Sequence, residues 1–431
     1  MERTKPRNNH TVSSTLIELG KANNRPYTWD SRKVINGHSI VVGGSGMGKT
    51  HFLRRFLSET MRQNPTAEFH VIDVHGDMSI PGADVVTFRE SAGYGLNPLS
   101  ISDDPDFGGV RRRVRSFIGM VNRTSRKLGP KQESVMQHLL YDLYNNRGFI
   151  ADQPATWSET PQRQSPNMDN LMRYTNAKLR QMMIGASTKA VLSLDRLNKK
   201  YIALDRANLR AKGPEDVELA GLKQECKDLY AQYIDEIETG REIEDIIKYN
   251  SKDVVQSLYD RIGNIVGSGI FKSTPPPFAP NSKVRVYAIQ ALSADEQRMF
   301  VDVLAEELFF EARKNGIRPE PNQFIIIDEA HKFVSDDEDH ILTLISREAR
   351  KFGLGMILAS QSLNHFSEDV LSNACTKILL GIDEIFHDAT ARRLKIDAAR
   401  LANIVPHRTA IAQVKNKGTL DNKFVELTLP A

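Results

Sequence analysis

The hydrophobic and polar positions of this chain fall into two textures. Toward both ends, short unbroken apolar runs alternate with helical spacing; the middle carries helical spacing alone. His38-Ser39-Ile40-Val41-Val42 suits a strand buried on both faces. His51-Phe52-Leu53-Arg54-Arg55-Phe56-Leu57 follows with the periodicity of a helix. Residues 68–74 and 84–88 read as the next two strands. After Pro275-Pro276-Pro277 the alternation resumes, with strands predicted at 284–289, 323–328, 355–360 and 376–381. Helices are predicted over 294–314 and about 338–352, and closing strands near 408–413 and 424–429. Such βαβ alternation predicts an α/β fold, a mainly parallel sheet with helices on both faces.

Between about 105 and 265 strand signals vanish. Val135, Leu139, Leu140, Leu143 and Tyr144 mark one helix, and a polar, Pro/Gln/Ser-rich gap at 152–167 interrupts the pattern. Two long amphipathic stretches follow, 187–211 and 215–239, hinged at Lys212-Gly213-Pro214. Val191, Leu194, Leu197, Tyr201 and Leu204 form one apolar stripe; Leu222, Cys226, Leu229, Tyr233 and Ile237 form the other. A helix of this length reaches roughly 37 Å. The pattern predicts an antiparallel hairpin, either protruding from the sheet domain or part of a bundle covering it. The expected organisation is therefore 1–104, an N-terminal segment and the first part of the core; 105–274, a helical insertion; and 275–431, the rest of the core. Residues 1–12 are polar and read as loose.

Composition changes this picture only locally. The 431 residues leave room for two or three domains, and 40% hydrophobic content supports a sizeable core. Fifty-eight basic residues against 54 acidic ones give +4, too mild to imply nucleic-acid binding. No acidic residue occurs from Phe107 to Gln132, however, where Arg111, Arg112, Arg113, Arg115, Arg123, Arg126, Lys127 and Lys131 cluster. That run suits a solvated helix face or a contact to phosphate or a partner. Cys226 and Cys375 lie far apart without metal-ligand spacing, which predicts a reducing, cytoplasmic setting and no zinc site. No apolar stretch approaches the roughly 18 residues of a membrane span. The first residues lack the apolar core of a signal peptide. No integral membrane segment is expected.

The chemistry is announced at residues 43–50. Gly43-Gly44-Ser45-Gly46-Met47-Gly48-Lys49-Thr50 is a complete G-x-x-x-x-G-K-[ST] loop between a predicted strand and a predicted helix. Its glycines let successive backbone N–H groups turn inward on a triphosphate. Lys49 supplies a point charge to the β- and γ-phosphates, and Thr50 offers a hydroxyl to Mg²⁺. His51, at the start of the helix, completes the expected nucleotide-binding set. ATP and Mg²⁺ are the cofactors this loop predicts.

Such a loop needs a carboxylate for Mg²⁺ and a group that activates water. Phe324-Ile325-Ile326-Ile327 runs into Asp328-Glu329, at the strand end that opens on the same sheet edge as the loop. Asp328 is the expected Mg²⁺ residue, and Glu329 the one that polarises the hydrolytic water. The bland alternative is an N-cap Asp followed by a first-turn Glu. Asp328-Glu329-Ala330-His331 also spells a DEAH box. Yet 279 positions separate Lys49 from Asp328, with an all-helical block between them, and no further helicase motif follows. Gln361, at the tip of the strand ending Ala359-Ser360, suits an uncharged sensor of the γ-phosphate. Upstream, Arg347 and Arg350 sit at a predicted helix end. They either compensate its dipole or reach the nucleotide of an adjacent subunit.

Taken together, the loop at 43–50, Ile72-Asp73-Val74-His75-Gly76-Asp77, Gly95-Leu96-Asn97-Pro98-Leu99, Ile325–Phe333 and Arg350–Ser362 resemble the HerA/FtsK superfamily of P-loop translocases. That superfamily includes HerA-type helicases and the ATPases of conjugation and type IV secretion. The resemblance covers roughly 18–100 and 280–415. It implies a RecA-like core, a homo-oligomeric ring (usually a hexamer) and ATP-driven movement of double-stranded DNA, with protein export in some relatives. By position it makes Lys49 and Thr50 the phosphate and Mg²⁺ residues, Asp328 and Glu329 the Walker B pair, and Gln361 the sensor. Arg350 takes the place of the trans-acting arginine finger, with Arg347 its rival. About 35 residues before the core are too few for the N-terminal β-barrel of HerA, and the anchor of conjugative coupling proteins has no counterpart. The expected function is a ring ATPase translocating DNA, with a partner nuclease or other effector in a defence or mobile-element system as its expected setting. The alternatives are a secretion or conjugation motor, and a nucleotide-gated scaffold for an effector.

Overall fold

Runs of isoleucine, valine and phenylalanine without a polar face are satisfied only in a sheet covered on both sides, and they build the centre of this protein. The computed structural model describes residues 15–184, 188–210, 217–236, 248–249, 251–419 and 422–430. The chain divides into two compact units. One comprises the stretches up to Leu96 and from Thr274 onward; the other spans Asn97–Ser273.

The first unit holds an 11-stranded sheet. Its strands are β1 (Leu16–Ala22), β2 (Arg25–Asp30), β3 (Ser39–Val42), β4 (Glu68–Asp73), β5 (Asp84–Thr87), β6 (Val284–Ala288), β7 (Arg318–Ile327), β8 (Phe352–Ser360), β9 (Thr376–Leu379), β10 (Thr409–Val414) and β11 (Val425–Thr428). They lie in the order β2-β1-β11-β10-β9-β3-β8-β7-β4-β6-β5. Every pairing from β9 to β5 is parallel, and the four strands β10, β11, β1 and β2 continue the sheet antiparallel. This is the expected α/β, RecA-like core. Register then positions the chemistry. Val42 stands level with Ser360 and Leu379, while Ile327 stands level with Leu358 and Ile72. The loops leaving β3, β8, β7 and β4 therefore emerge on one edge, with β8 between β3 and β7.

An aromatic cluster fixes the helix that starts at Lys49 against this sheet. Trp29 of β2 meets Phe56 of the helix Lys49–Gln63 edge-on, with ring centroids 5.2 Å apart. Phe324 of β7 stacks on Phe69 of β4 at 5.0 Å and touches Phe56 at 6.2 Å. Aromatic pairs of this geometry add to the burial of their area, so one cluster ties loop-bearing helix, sheet and hairpin together.

Three features depart from the sequence expectation. The β1–β2 hairpin was not anticipated; its turn, Asn23-Asn24, takes left-handed backbone angles at both residues (φ 48° and 62°). That is the demand of a two-residue hairpin turn, and asparagine tolerates it well. The helix expected over 338–352 is confined to Ile341–Glu348, followed by a 3-10 turn at Ala349–Lys351. The strand expected from 355 begins instead at Phe352, because Gly353, at φ 68°, brings the backbone against β7. A Cβ there would stand 2.8 Å from the Glu320 carbonyl oxygen. Short helices at Glu368–Asn373, His387–Leu394 and Ala398–Ala402 also lacked a readable signal.

The second unit is helical, with helices at Val110–Thr124, Pro130–Asn146, Met168–Ile184, Thr188–Arg210, Val217–Asp235 and Lys252–Gly267. Leu139, Leu140, Leu143 and Tyr144 are buried as their spacing required. Thr188–Arg210 and Val217–Asp235 run antiparallel, bridged by Lys200 Nζ to Glu225 Oε2 (2.5 Å) and by Ser193 Oγ donating to Glu236 Oε2 (2.5 Å). Leu194, Leu197, Leu204, Leu222, Leu229 and Tyr233 are half-buried and Cys226 is buried, but Tyr201 is 63% exposed and does not belong to the covered stripe. Residues 1–12, the hinge at 212–214, Ile237 and the side chain of Val191 lie outside the described residues. Among the described residues no helix is long and apolar enough to cross a membrane.

Candidate functional site

The loop after β3 is shaped by its glycines. Gly46 and Gly48 have φ of +74° and +93°, a region that side chains with a Cβ rarely adopt. A Cβ on Gly43 would sit 3.3 Å from both Leu380 Cβ and Lys49 Cγ. Gly43 N–H donates to Ser360 O (3.1 Å) and Gly44 N–H to Gly381 O (2.8 Å), so the loop is anchored to the ends of neighbouring strands. Gly48 is the N-cap of the helix Lys49–Gln63. No side chain caps that end, and its first turn has no acidic residue. Its leading N–H groups are thus left for an anion. Ser45 and His51 are exposed on the rim, Met47 and Thr50 half-buried.

Lys49 is only 7% exposed. Its ammonium donates to the carbonyls of Gly43 (2.9 Å) and Gly44 (3.3 Å), and lies 3.9 Å from Glu329 Oε1. Asp328 and Glu329 are 4% and 6% exposed. Burial pushes the Asp328 carboxyl above the usual carboxylate range; the nearby Glu329 and Asp77 charges add to this, while Glu329 N–H (2.9 Å) and Lys49 oppose it. Two adjacent buried carboxylates beside one lysine leave negative charge that a cation would stabilise. Among the described residues no group of three His, Cys, Asp or Glu is arranged for a metal. Mg²⁺ beside a bound triphosphate needs no such cluster, because it takes few protein ligands plus phosphate oxygens and water.

Glu329 takes φ 51°, ψ 43°, the left-handed region, and makes no side-chain cap to the 3-10 turn that follows. The helix-capping alternative is therefore not realised. Such a conformation in a non-glycine residue is costly and persists where the surroundings over-determine it. Here the Gln361 amide donates to both carboxylate oxygens, at 3.3 and 3.4 Å. His331 Nδ1 lies 3.1 Å from Glu329 Oε2, though out of line for a hydrogen bond. Burial lowers the His331 pKa, against the pull of Glu329, so its ring is neutral at neutral pH. His365 follows at 4.9 Å between ring centroids, its Nδ1 3.1 Å from Ser360 Oγ. Sequence reasoning missed this histidine because its helical turn, Leu363–His365, gives no pattern.

The fold thus brings Lys49 and Gln361 each against Glu329 and sets Asp328 beside it. Arg350 is not among their contacts. It is exposed on the 3-10 turn, and its side chain has no hydrogen-bond or ion-pair partner among the described residues. Arg347 is instead engaged by Asp369. Asp73 has a structural role: its carboxylate accepts from the N–H groups of His75 (3.1 Å), Gly76 (2.7 Å) and Met78 (3.0 Å), closing the turn after β4.

Comparison with known proteins bears on the family and the fold. The family model described as "Helicase HerA, central domain" matches residues 17–308. The DNA double-strand break repair helicase HerA of Saccharolobus solfataricus is 29% identical over 150 residues, 32% of this chain and 29% of that protein. That of Pyrococcus furiosus is 42% identical over 62 residues, 14% of this chain and 11% of that protein. The matched stretches thus span less than a third of these relatives. Among solved structures, VirB4 of Thermoanaerobacter pseudethanolicus superposes with a TM-score of 0.66 at 14% identity, covering 96% of both chains. The bacterial conjugative coupling protein TrwB, without its N-terminal segment, gives 0.53 at 13% identity over 96% of this chain and 88% of its own. At such identities the likeness is one of fold. The match to the HerA model, over more than half of the residues, places this chain in the HerA helicase central-domain family.

Proposed function

We propose that this protein is an ATP-hydrolysing motor that moves along double-stranded DNA. The observation that carries the ATPase reading is the meeting of Lys49, Glu329 and Gln361, with Asp328 adjacent, on the edge where β3, β8 and β7 end. In this reading the loop N–H groups and Lys49 bind the triphosphate, and Thr50 and Asp328 would hold Mg²⁺, which would supply positive charge against the developing phosphate charge. Glu329, fixed by Gln361, accepts a proton from the attacking water. Gln361 touches the base through its amide and can present the same group to the γ-phosphate. A structure of TrwB with ADP and Mg²⁺ supports the cofactors, as the same fold accommodates both there.

The DNA cargo is supported by the sequence relatives, which are DNA repair helicases. Arg350, exposed and unpaired, is suited to completing the site of an adjacent copy in a ring. Lys49→Ala is expected to lose nucleotide binding and turnover together. Glu329→Gln is expected to keep binding while kcat falls by roughly 100-fold or more, the usual worth of a general base. Titration with a fluorescent ATP analogue and a phosphate-release assay separate these outcomes. Full turnover in Glu329→Gln would remove the basis of the ATPase reading.

A further inference from the structure

The phosphate loop is held from outside at one point that no motif marks. His407, on the segment before β10, takes a left-handed backbone conformation (φ 61°). Its Nε2 lies 2.8 Å from the carbonyl oxygen of Gly46. A carbonyl can only accept, so Nε2 carries a hydrogen. Nδ1 faces Gly48, where a Cβ would come within 3.2 Å of it. Among the described residues no atom lies within 4 Å of where a Cβ on Gly46 would stand.

The peptide geometry gives this contact a consequence. In a trans peptide the C=O and the following N–H point in opposite directions, and this chain has no cis bond among the described residues. With the Gly46 carbonyl turned out to His407, the Met47 N–H is turned into the loop, where it meets Gly44 O at 3.3 Å. In the ATPase reading the neighbouring N–H groups of this loop are the ones that receive the anion. We infer that His407 is a positioning residue that holds the tip of the phosphate loop in its anion-binding shape before the nucleotide arrives. Such preorganisation strengthens binding by removing an ordering cost; it does not alter the chemical step. The inference rests on the ATPase reading above and adds to it a residue from a segment outside all the motifs.

Three substitutions separate the ring from the backbone. His407→Ala removes the donor and strains φ. His407→Gly removes the donor but relieves the backbone. His407→Asn keeps an amide donor in a residue that tolerates left-handed angles. ATP KM and the dissociation constant of a fluorescent ATP analogue are measured for each with the full chain. The expected result is a rise of about tenfold in both for Ala and Gly, the worth of one hydrogen bond, with kcat much less affected, and recovery by Asn to within about threefold. Wild-type affinity in His407→Gly, or a loss in kcat without a change in affinity, would overturn the inference and leave the ATPase reading intact. Failure of the wild-type protein to bind nucleotide would overturn both.

Discussion

Glu329 concentrates the residue-scale physics of the site. A buried carboxylate in a left-handed conformation is doubly unfavourable, and Lys49 and Gln361 are what offset it. The histidines buried in the same unit behave differently. Burial brings the pKa of His38 down to about 4; burial, with the Arg285 charge adding, brings that of His70 to about 3. Both rings are neutral in the folded state through mild acid, whereas in the unfolded chain they take up protons below about 6.5. The unfolded state then binds more protons, so stability is undiminished above about pH 6.5 and falls as pH drops toward 4. Urea midpoints are therefore expected to be lower at pH 5 than at pH 7.5, with a smaller drop in His38→Gln. Equal drops in the two proteins would show that His38 is not the group responsible.

At the scale of elements, the β1–β2 hairpin buttresses the phosphate-loop helix through Trp29. Trp29→Ala opens a cavity beside Phe56 and Phe324 and is expected to cost about 3–5 kcal/mol in urea denaturation. Trp29→Phe should cost far less, because the indole N–H is buried without a partner among the described residues and its removal relieves a penalty. Equal losses in the two variants would mean that the N–H is satisfied. The same element shows what was legible in the chain. Runs such as Phe324–Ile327 have no polar face, so periodicity alone identified the parallel core and the residues at its strand ends. The hairpin escaped because one of its faces is exposed: Leu16 at 48% stands next to buried Ile17, an alternation too short to register without its Asn-Asn turn. The contacts of Glu329 with Gln361 and His331 were legible only in part. Motif spacing brought Glu329 and Gln361 to one edge, but left-handed backbone angles leave no trace in hydrophobic pattern.

At the scale of the whole molecule, the proposed motor needs its site completed by another copy. Among the described residues Arg350 makes no hydrogen bond or ion pair with Lys49 or Glu329, while Arg347 is already paired. Arg350→Ala is expected to bind ATP normally but to hydrolyse it at least about 100-fold more slowly, the range of trans-acting arginines being larger still. Mixing it with Lys49→Ala should restore part of the turnover, since each protein supplies what the other lacks. Absence of any restoration in mixed assemblies would argue that Arg350 acts within its own chain or only in folding.

The most direct measurement for the motor reading is steady-state ATP hydrolysis by the full chain, with and without linear double-stranded DNA, beside the Glu329→Gln protein. The motor reading predicts Mg²⁺-dependent turnover that rises with DNA and is about 100-fold or more lower in Glu329→Gln. A protein that binds ATP yet hydrolyses it no faster with DNA, at any salt concentration where DNA is bound, would contradict it.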